Sequence, residues 1–279
     1  MLAQRVITAV VLLALLLPAL VSSSPLPFAL LTLVLISVAG WEWARLNGAG
    51  NPAFALASGA LLALLCGFSL QRLPEMGPAG GLWWTGTSLW LAGGALALRR
   101  GPAGWQTWPA MLRWALGLGL LWLAWLAMAQ ARSIGVNFLL SVMCIVWVAD
   151  ISAYFAGRAF GRRKLAPGIS PGKSWEGVYG GVSGVLVLAA GWLWLESRHD
   201  LGSASVFKLL HQQHGYPGLL LALLLMAALS VMGDLFESLV KRSAGVKDSS
   251  ALLPGHGGVL DRVDALLPVL PAALALISF

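Results

Sequence analysis

The sequence predicts an all-α, polytopic integral membrane protein with about nine transmembrane helices and a cytoplasm-facing polar cavity formed by its C-terminal helices. Three observations lead there. Charged residues make up 10% of the 279 and hydrophobic ones 58%, whereas a soluble domain carries about a quarter charged residues. Mean hydropathy is +0.81. Apolar stretches near the roughly 20 residues needed to cross a bilayer recur along the whole chain, and basic residues gather on alternate sides of them.

In chain order, the predicted spans are 6–22, 26–44, 52–70, 82–98, 110–130, 135–156, 177–195, 217–240 and 258–278. The first ends in Val21-Ser22-Ser23-Ser24, small residues of the kind that follow a signal peptide. Its apolar core is long and another hydrophobic segment follows almost at once, so an uncleaved helix is expected. Cys66 and Cys144 fall inside predicted spans, which suggests neither a disulfide framework nor a thiolate metal site.

Orientation follows from the basic residues. One set of loops holds thirteen: Arg5, Arg45, Arg99, Arg100, Arg113, Arg158, Arg162, Arg163, Lys164, Lys173, Lys241, Arg242 and Lys247. The other set holds four: Arg72, Arg132, Arg198 and Lys208. Positively charged loops stay inside, so the N-terminus is expected in the cytoplasm, within a cytoplasmic (inner) membrane. Many of the 14 tryptophans lie near span ends, among them Trp41, Trp43, Trp83, Trp84, Trp105 and Trp108, and are expected to anchor the interface.

The chain reads as one membrane domain, 1–279, in two unlike halves. Residues 1–130 are mostly Leu, Ala, Gly and Trp, with two acids, Glu42 and Glu75, both near loops. Nothing there suggests chemistry, and no internal repeat supports the architecture common among transporters. In 131–279 acids interrupt the apolar runs: Asp150 follows 136–149, Asp234 follows 217–233, and Asp264 precedes 265–279. Runs of 14 to 17 residues cover roughly 21–25 Å of a hydrocarbon core about 30 Å thick. Each run starts from or ends at the outer face, so the three carboxylates reach one depth, somewhat below the cytoplasmic surface.

An ionised carboxylate at that depth costs several kcal/mol unless it is paired, metal-bound or facing water. Three on different helices therefore imply a shared cavity. Asp234 and Glu237, like Asp261 and Asp264, are spaced i, i+3 and are expected to project from one helical face. The bland alternative pairs each acid with a neighbouring base, for example Asp261 with Arg262 or Glu237 with Lys241.

Two loops flank these helices. The first runs from Gly157-Arg158 through Arg162-Arg163-Lys164 to Ser170-Pro171-Gly172-Lys173-Ser174-Trp175-Glu176-Gly177. Gly-Lys-Ser invites a P-loop reading, which fails because the required earlier glycine is Pro167 and a membrane helix, not a strand, precedes. The second runs from Ser238 through Lys241-Arg242, Lys247-Asp248 and His256-Gly257-Gly258 to Asp261-Arg262-Val263-Asp264. Glycine-rich backbone entering a helix suits anions. Lysines suit phosphate, and carboxylates suit the divalent cation that accompanies a nucleoside triphosphate.

Ser238 to Asp264 closely resembles the signature of the phosphatidate cytidylyltransferases, or CDP-diacylglycerol synthases, and the block from Asp150 and Tyr154 through Ser170–Gly177 is similar to that family too. Gly172-Lys173 stands where some relatives carry a double lysine. The resemblance implies transfer of a cytidylyl group from CTP to phosphatidic acid, with Mg2+ required and a second cation such as K+ admissible. It implies metal-holding roles for Asp234, Asp261 and Asp264, with Asp248 completing that shell or orienting a lysine. Lys241, Arg242 and Lys247 would hold triphosphate, with Ser238, His256, Gly257 and Gly258 as hydrogen-bonding partners. Ser170, Lys173 and Ser174 would receive the lipid headgroup or close over the nucleotide. Membrane lipids are expected partners and nucleic acid is not. The alternatives are a CTP-dependent lipid kinase of the polyprenol type and a cation-coupled transporter. The glycine pairs Gly177/Gly181 and Gly180/Gly184 suit a close helix contact, either in a homodimer or within the chain.

Overall fold

A computed structural model describes residues 2–48, 50–72 and 80–278, with side chains from residue 6 onward. Glu75 and the Arg5 side chain lie outside the described part. The protein is a helical bundle: α1 (Leu2–Val21), α2 (Leu26–Leu46), α3 (Pro52–Arg72), α4 (Gly80–Leu89), α5 (Ala95–Gln106), α6 (Ala110–Ile134), α7 (Val136–Phe160), α8 (Trp175–Glu196), α9 (Val206–Ser243), α10 (Leu260–Val263) and α11 (Leu266–Leu276). Among the described residues, six helices are long and apolar enough to cross a membrane: α2, α3, α6, α7, α8 and α9.

The other three predicted spans are not among these six, so nine spanning helices are not shown among the described residues. α1 runs Leu2–Val21, and its described side chains form an apolar helix over Val6–Val21. α4 passes through a π-helical turn, Trp90–Gly94, into α5, which bends at Gly101 (φ 69°). The last expected span, 258–278, yields an 11-residue α11 containing Pro271. The acids Asp261 and Asp264 lie in α10 and at its end, ahead of α11, rather than in one continuous helix.

The tryptophan expectation also needs correction. Trp43, Trp83 and Trp105 are buried rather than interfacial. Trp43, Trp90, Trp105 and Phe236 pack as a ring cluster with centroids 5.3–6.2 Å apart. Large rings bury more apolar area here than at a surface, provided the indole N–H finds a partner. Trp105 Nε1 donates to Asn47 Oδ1 at 3.0 Å and Trp43 Nε1 to the Arg113 carbonyl at 3.1 Å.

α9 is the hub, touching α5, α7, α8 and α11. Its membrane-crossing part begins after Gly215 (φ 64°) and Pro217, a pair that starts a new helix. α8 lies along α7 because glycine lets the backbones meet: a Cβ on Gly177 or Gly181 would sit 2.9 Å from the Ala153 or Ala149 carbonyl oxygen. Of the two contacts open to these glycines, the one formed is within the chain. Between α7 and α8 stands a feature not expected from the sequence, an antiparallel pair of strands, β1 (Lys164–Ala166) and β2 (Ser170–Ser174), with Lys164 opposite Ser174. Pro167-Gly168 in the connection is its turn signal.

Candidate functional site

The inward half of α7, the β1–β2 pair and α9 enclose a cavity of about 450 Å³, lined by Asp150, Tyr154, Arg158, Ser170, Lys173 and Asp234 among others. Asp150 comes from α7 and Asp234 from α9. Lys173, from β2, reaches across to Asp234 with Nζ 2.5 Å from Oδ2, each side chain about a quarter exposed. Ser238, one turn on, donates to Asp234 Oδ1 at 3.4 Å. Arg158 is close enough to donate to the Tyr154 hydroxyl at 3.3 Å.

Asp264 packs against α9 at Gly233, where a Cβ would lie 2.5 Å from the Asp264 carbonyl oxygen and 3.0 Å from Ala265 Cα. Of the three acids expected at one level, Asp150 and Asp234 line the cavity together, and among the described residues no group of three acids stands close enough to hold a metal ion. Among the described residues, the Asp264 carboxylate accepts from the Ala265 N–H at 2.8 Å.

A second cluster lies one turn further along α9. Lys241 Nζ is 2.5 Å from Glu237 Oε2 and 2.6 Å from Asp261 Oδ1, with side-chain exposures of 13%, 3% and 6% respectively. Asp261 Oδ2 accepts from the backbone N–H groups of Ser249 (3.0 Å) and Gly258 (2.8 Å), and Ser249 Oγ lies 2.9 Å away. Asp261 sits outside the spanning helices. Burial works against its ionised form, but the bonds from Lys241, Gly258 and Ser249 prevail and hold its carboxyl well below the usual carboxylate range. Gly257 (φ 81°) turns the chain here, and a Cβ on it would meet Asp261 Oδ2 at 2.7 Å.

The remaining sequence-predicted residues are dispersed around these two clusters. Ser174 is buried and caps α8, its Oγ accepting from the Gly177 N–H at 3.2 Å. Ser170 lines the cavity. Arg242 stretches between the carbonyls of Ile169 and Val246, each at 3.5 Å, tying the β1–β2 loop to the end of α9. Lys247 and Asp248 are exposed on the turn that follows. His256 lies in the tight Leu253–Gly257 turn, its N–H donating to the Leu253 carbonyl at 2.8 Å, while its Nδ1 is buried without a partner. Glu176 accepts from the N–H groups of Arg162 (3.0 Å) and Arg163 (3.2 Å), fixing the approach to β1.

Sequence reasoning passed over three residues. Tyr154 and Arg158 line the cavity; the signal was their i, i+4 spacing beyond Asp150. Glu42, dismissed as lying near a loop, is fully buried and accepts from Val259 N–H (3.0 Å), Leu260 N–H (2.7 Å) and Ser250 Oγ (2.5 Å), with Ser249 Oγ at 3.2 Å. An acid inside an otherwise apolar half is by itself a signal.

The model of a family described as the cytidylyltransferase family matches residues 3–279. The chain is 42% identical to the phosphatidate cytidylyltransferase of Pseudomonas aeruginosa over 285 aligned residues, covering 99% of this chain and 97% of that one. It is 49% identical to the Haemophilus influenzae protein of the same name over 137 residues, covering 49% of this chain and 44% of the other. With the Thermotoga maritima phosphatidate cytidylyltransferase it shares 42% over 142 residues, 51% of this chain and 49% of that one.

Proposed function

The chain belongs to the cytidylyltransferase family, and from that premise we propose that it makes CDP-diacylglycerol from CTP and phosphatidic acid, releasing pyrophosphate, at the cavity between α7, β2 and α9. The observation that carries the assignment to this cavity is Asp150 and Asp234 on its wall with Lys173 paired to Asp234. A phosphate oxygen of phosphatidic acid attacks the α-phosphorus of CTP, and the bond from that phosphorus to the β-phosphate bridge breaks. The attacking oxygen is already ionised, so the protein's task is positioning and charge neutralisation rather than proton removal.

Arg158, Lys173 and Ser170 are suited to the lipid phosphate. Exposed Ile151, Phe155 and Phe160 on the same helix as Arg158 suit a lipid approaching sideways through the membrane. Arg242 and Lys247, at the end of α9, are suited to the triphosphate of a nucleotide arriving from the cytoplasm. That orientation is the one the basic loops favour. Lys241 is already held by two carboxylates, so its part is to fix Asp261 and to temper the surrounding negative charge.

The family's Mg2+ would find hard-oxygen donors in Asp150 and Asp234 of the cavity wall and in the substrate phosphates, with Asp264 the further acid next to Gly233 of α9. Asp261 fits that role less well, since both its oxygens are engaged by Lys241, Ser249 and Gly258. When bound, a divalent cation neutralises the CTP phosphates and the departing pyrophosphate. A second cation such as K+ belongs to the same proposal.

Label in CTP tests the reaction. With purified protein, phosphatidic acid and Mg2+, label from the α-phosphate is expected in lipid and label from the γ-phosphate in pyrophosphate. Transfer of γ-label to lipid would identify a kinase instead, and label in neither lipid product would refute both.

A further inference from the structure

Glu42 in α2 is a carboxylate buried in a spanning helix. Its oxygens are met by donors from a segment more than 200 residues away in sequence. Val259 and Leu260 N–H reach it at 3.0 and 2.7 Å, and Ser250 Oγ reaches it at 2.5 Å. Ser249 Oγ stands 3.2 Å from Glu42 Oε2 and 2.9 Å from Asp261 Oδ2. A hydroxyl has one hydrogen, which Ser249 can give to only one of the two carboxylates at a time, so the residue stands between them. Its N–H holds Asp261 as well.

We infer that Glu42 is a positioning residue for cytidylyl transfer: through Ser249, Ser250 and the start of α10 it sets the loop that holds Asp261 and seats Asp264 against Gly233 of α9. The inference rests on the function proposed above. An apolar side chain in its place would leave three donors, Val259 N–H, Leu260 N–H and Ser250 Oγ, short of an acceptor, at a buried site where that is costly. The amide of glutamine would keep the volume but turn an NH2 toward donors. Such a loop is displaced rather than unfolded, and a displacement of about 1 Å at reacting groups costs about 100-fold in rate. Glu42 touches neither substrate, so the loss belongs in kcat.

The test compares the full chain with Glu42→Gln, Ser250→Ala, Ser249→Ala and the Glu42→Gln/Ser249→Ala pair, measuring thermal stability, kcat, both KM values, and backbone hydrogen exchange over 249–260. Glu42→Gln is expected to stay folded, to lose about 100-fold in kcat with both KM values near the parent's, and to exchange faster at Ser249, Gly258, Val259 and Leu260. The double variant should lose no more than the worse single, because both act through Asp261. Parent-like kcat in folded Glu42→Gln, or losses that multiply in the pair, would overturn the inference. Should Glu42→Gln fail to fold, Ser250→Ala decides: a kcat loss with intact folding supports positioning, and full activity refutes it. If the parent itself proves inactive with CTP, the functional reading fails, while unchanged exchange in Glu42→Gln would separately sink this one.

Discussion

Replacing Gly233 with alanine tests the geometry by which α9 meets the turn into α11. An ideal Cβ at 233 would lie 2.5 Å from the Asp264 carbonyl oxygen, 3.0 Å from Ala265 Cα and 3.0 Å from Pro268 Cδ. Ordinary van der Waals contact begins near 3.4 Å, so the Asp264 backbone has to retreat by about 0.9 Å (3.4 − 2.5). All three obstructing atoms belong to backbone or to a proline ring, which have no rotamer to yield. Overpacking of this kind costs about 1–3 kcal/mol. Moving a reacting group by about 1 Å costs about 100-fold in rate, so activity should suffer more than stability. The assay pairs CDP-diacylglycerol formation with thermal unfolding in detergent. Gly233→Ala with parental turnover would refute a dependence of Asp264 on this close approach.

Other substitutions probe other parts of the site. Lys241→Met strands two nearly buried carboxylates, Glu237 and Asp261, and is expected to destabilise the fold by about 3–5 kcal/mol; adding Glu237→Gln should recover part of that. A thermal midpoint unchanged in Lys241→Met would contradict the pairing. Ser174→Ala removes the α8 cap at a cost of about 1 kcal/mol and, because the hydroxyl faces the helix, should leave the KM for phosphatidic acid nearly unchanged. A large rise in that KM would return Ser174 to the substrate.

Much of the site was legible before any coordinates, for identifiable reasons. The lengths of the apolar runs beside Asp150, Asp234 and Asp264 are one-dimensional quantities that convert directly into depth, and Asp150 and Asp234 do line one cavity. The i, i+3 argument was less successful, because it assumes an unbroken helix facing a single neighbour. Asp234 turns to Lys173 while Glu237 turns to Lys241. Asp261 is wrapped by its own loop, whereas Asp264, at the end of α10, packs against Gly233. Glu42 was passed over because its partners lie more than 200 residues downstream, a separation that no local pattern reports. The β1–β2 pair was missed although Pro167-Gly168 announced a turn, since basic residues drew the segment toward a reading as plain loop.

The most direct test of the whole account is α-label transfer from CTP to phosphatidic acid by Asp264→Asn, measured beside its thermal unfolding. This substitution keeps the shape and the bond from Ala265 N–H while replacing the carboxylate by a neutral amide. The account predicts a folded, membrane-inserted protein that no longer moves label into lipid. A folded Asp264→Asn that transfers label at the parental rate would contradict it.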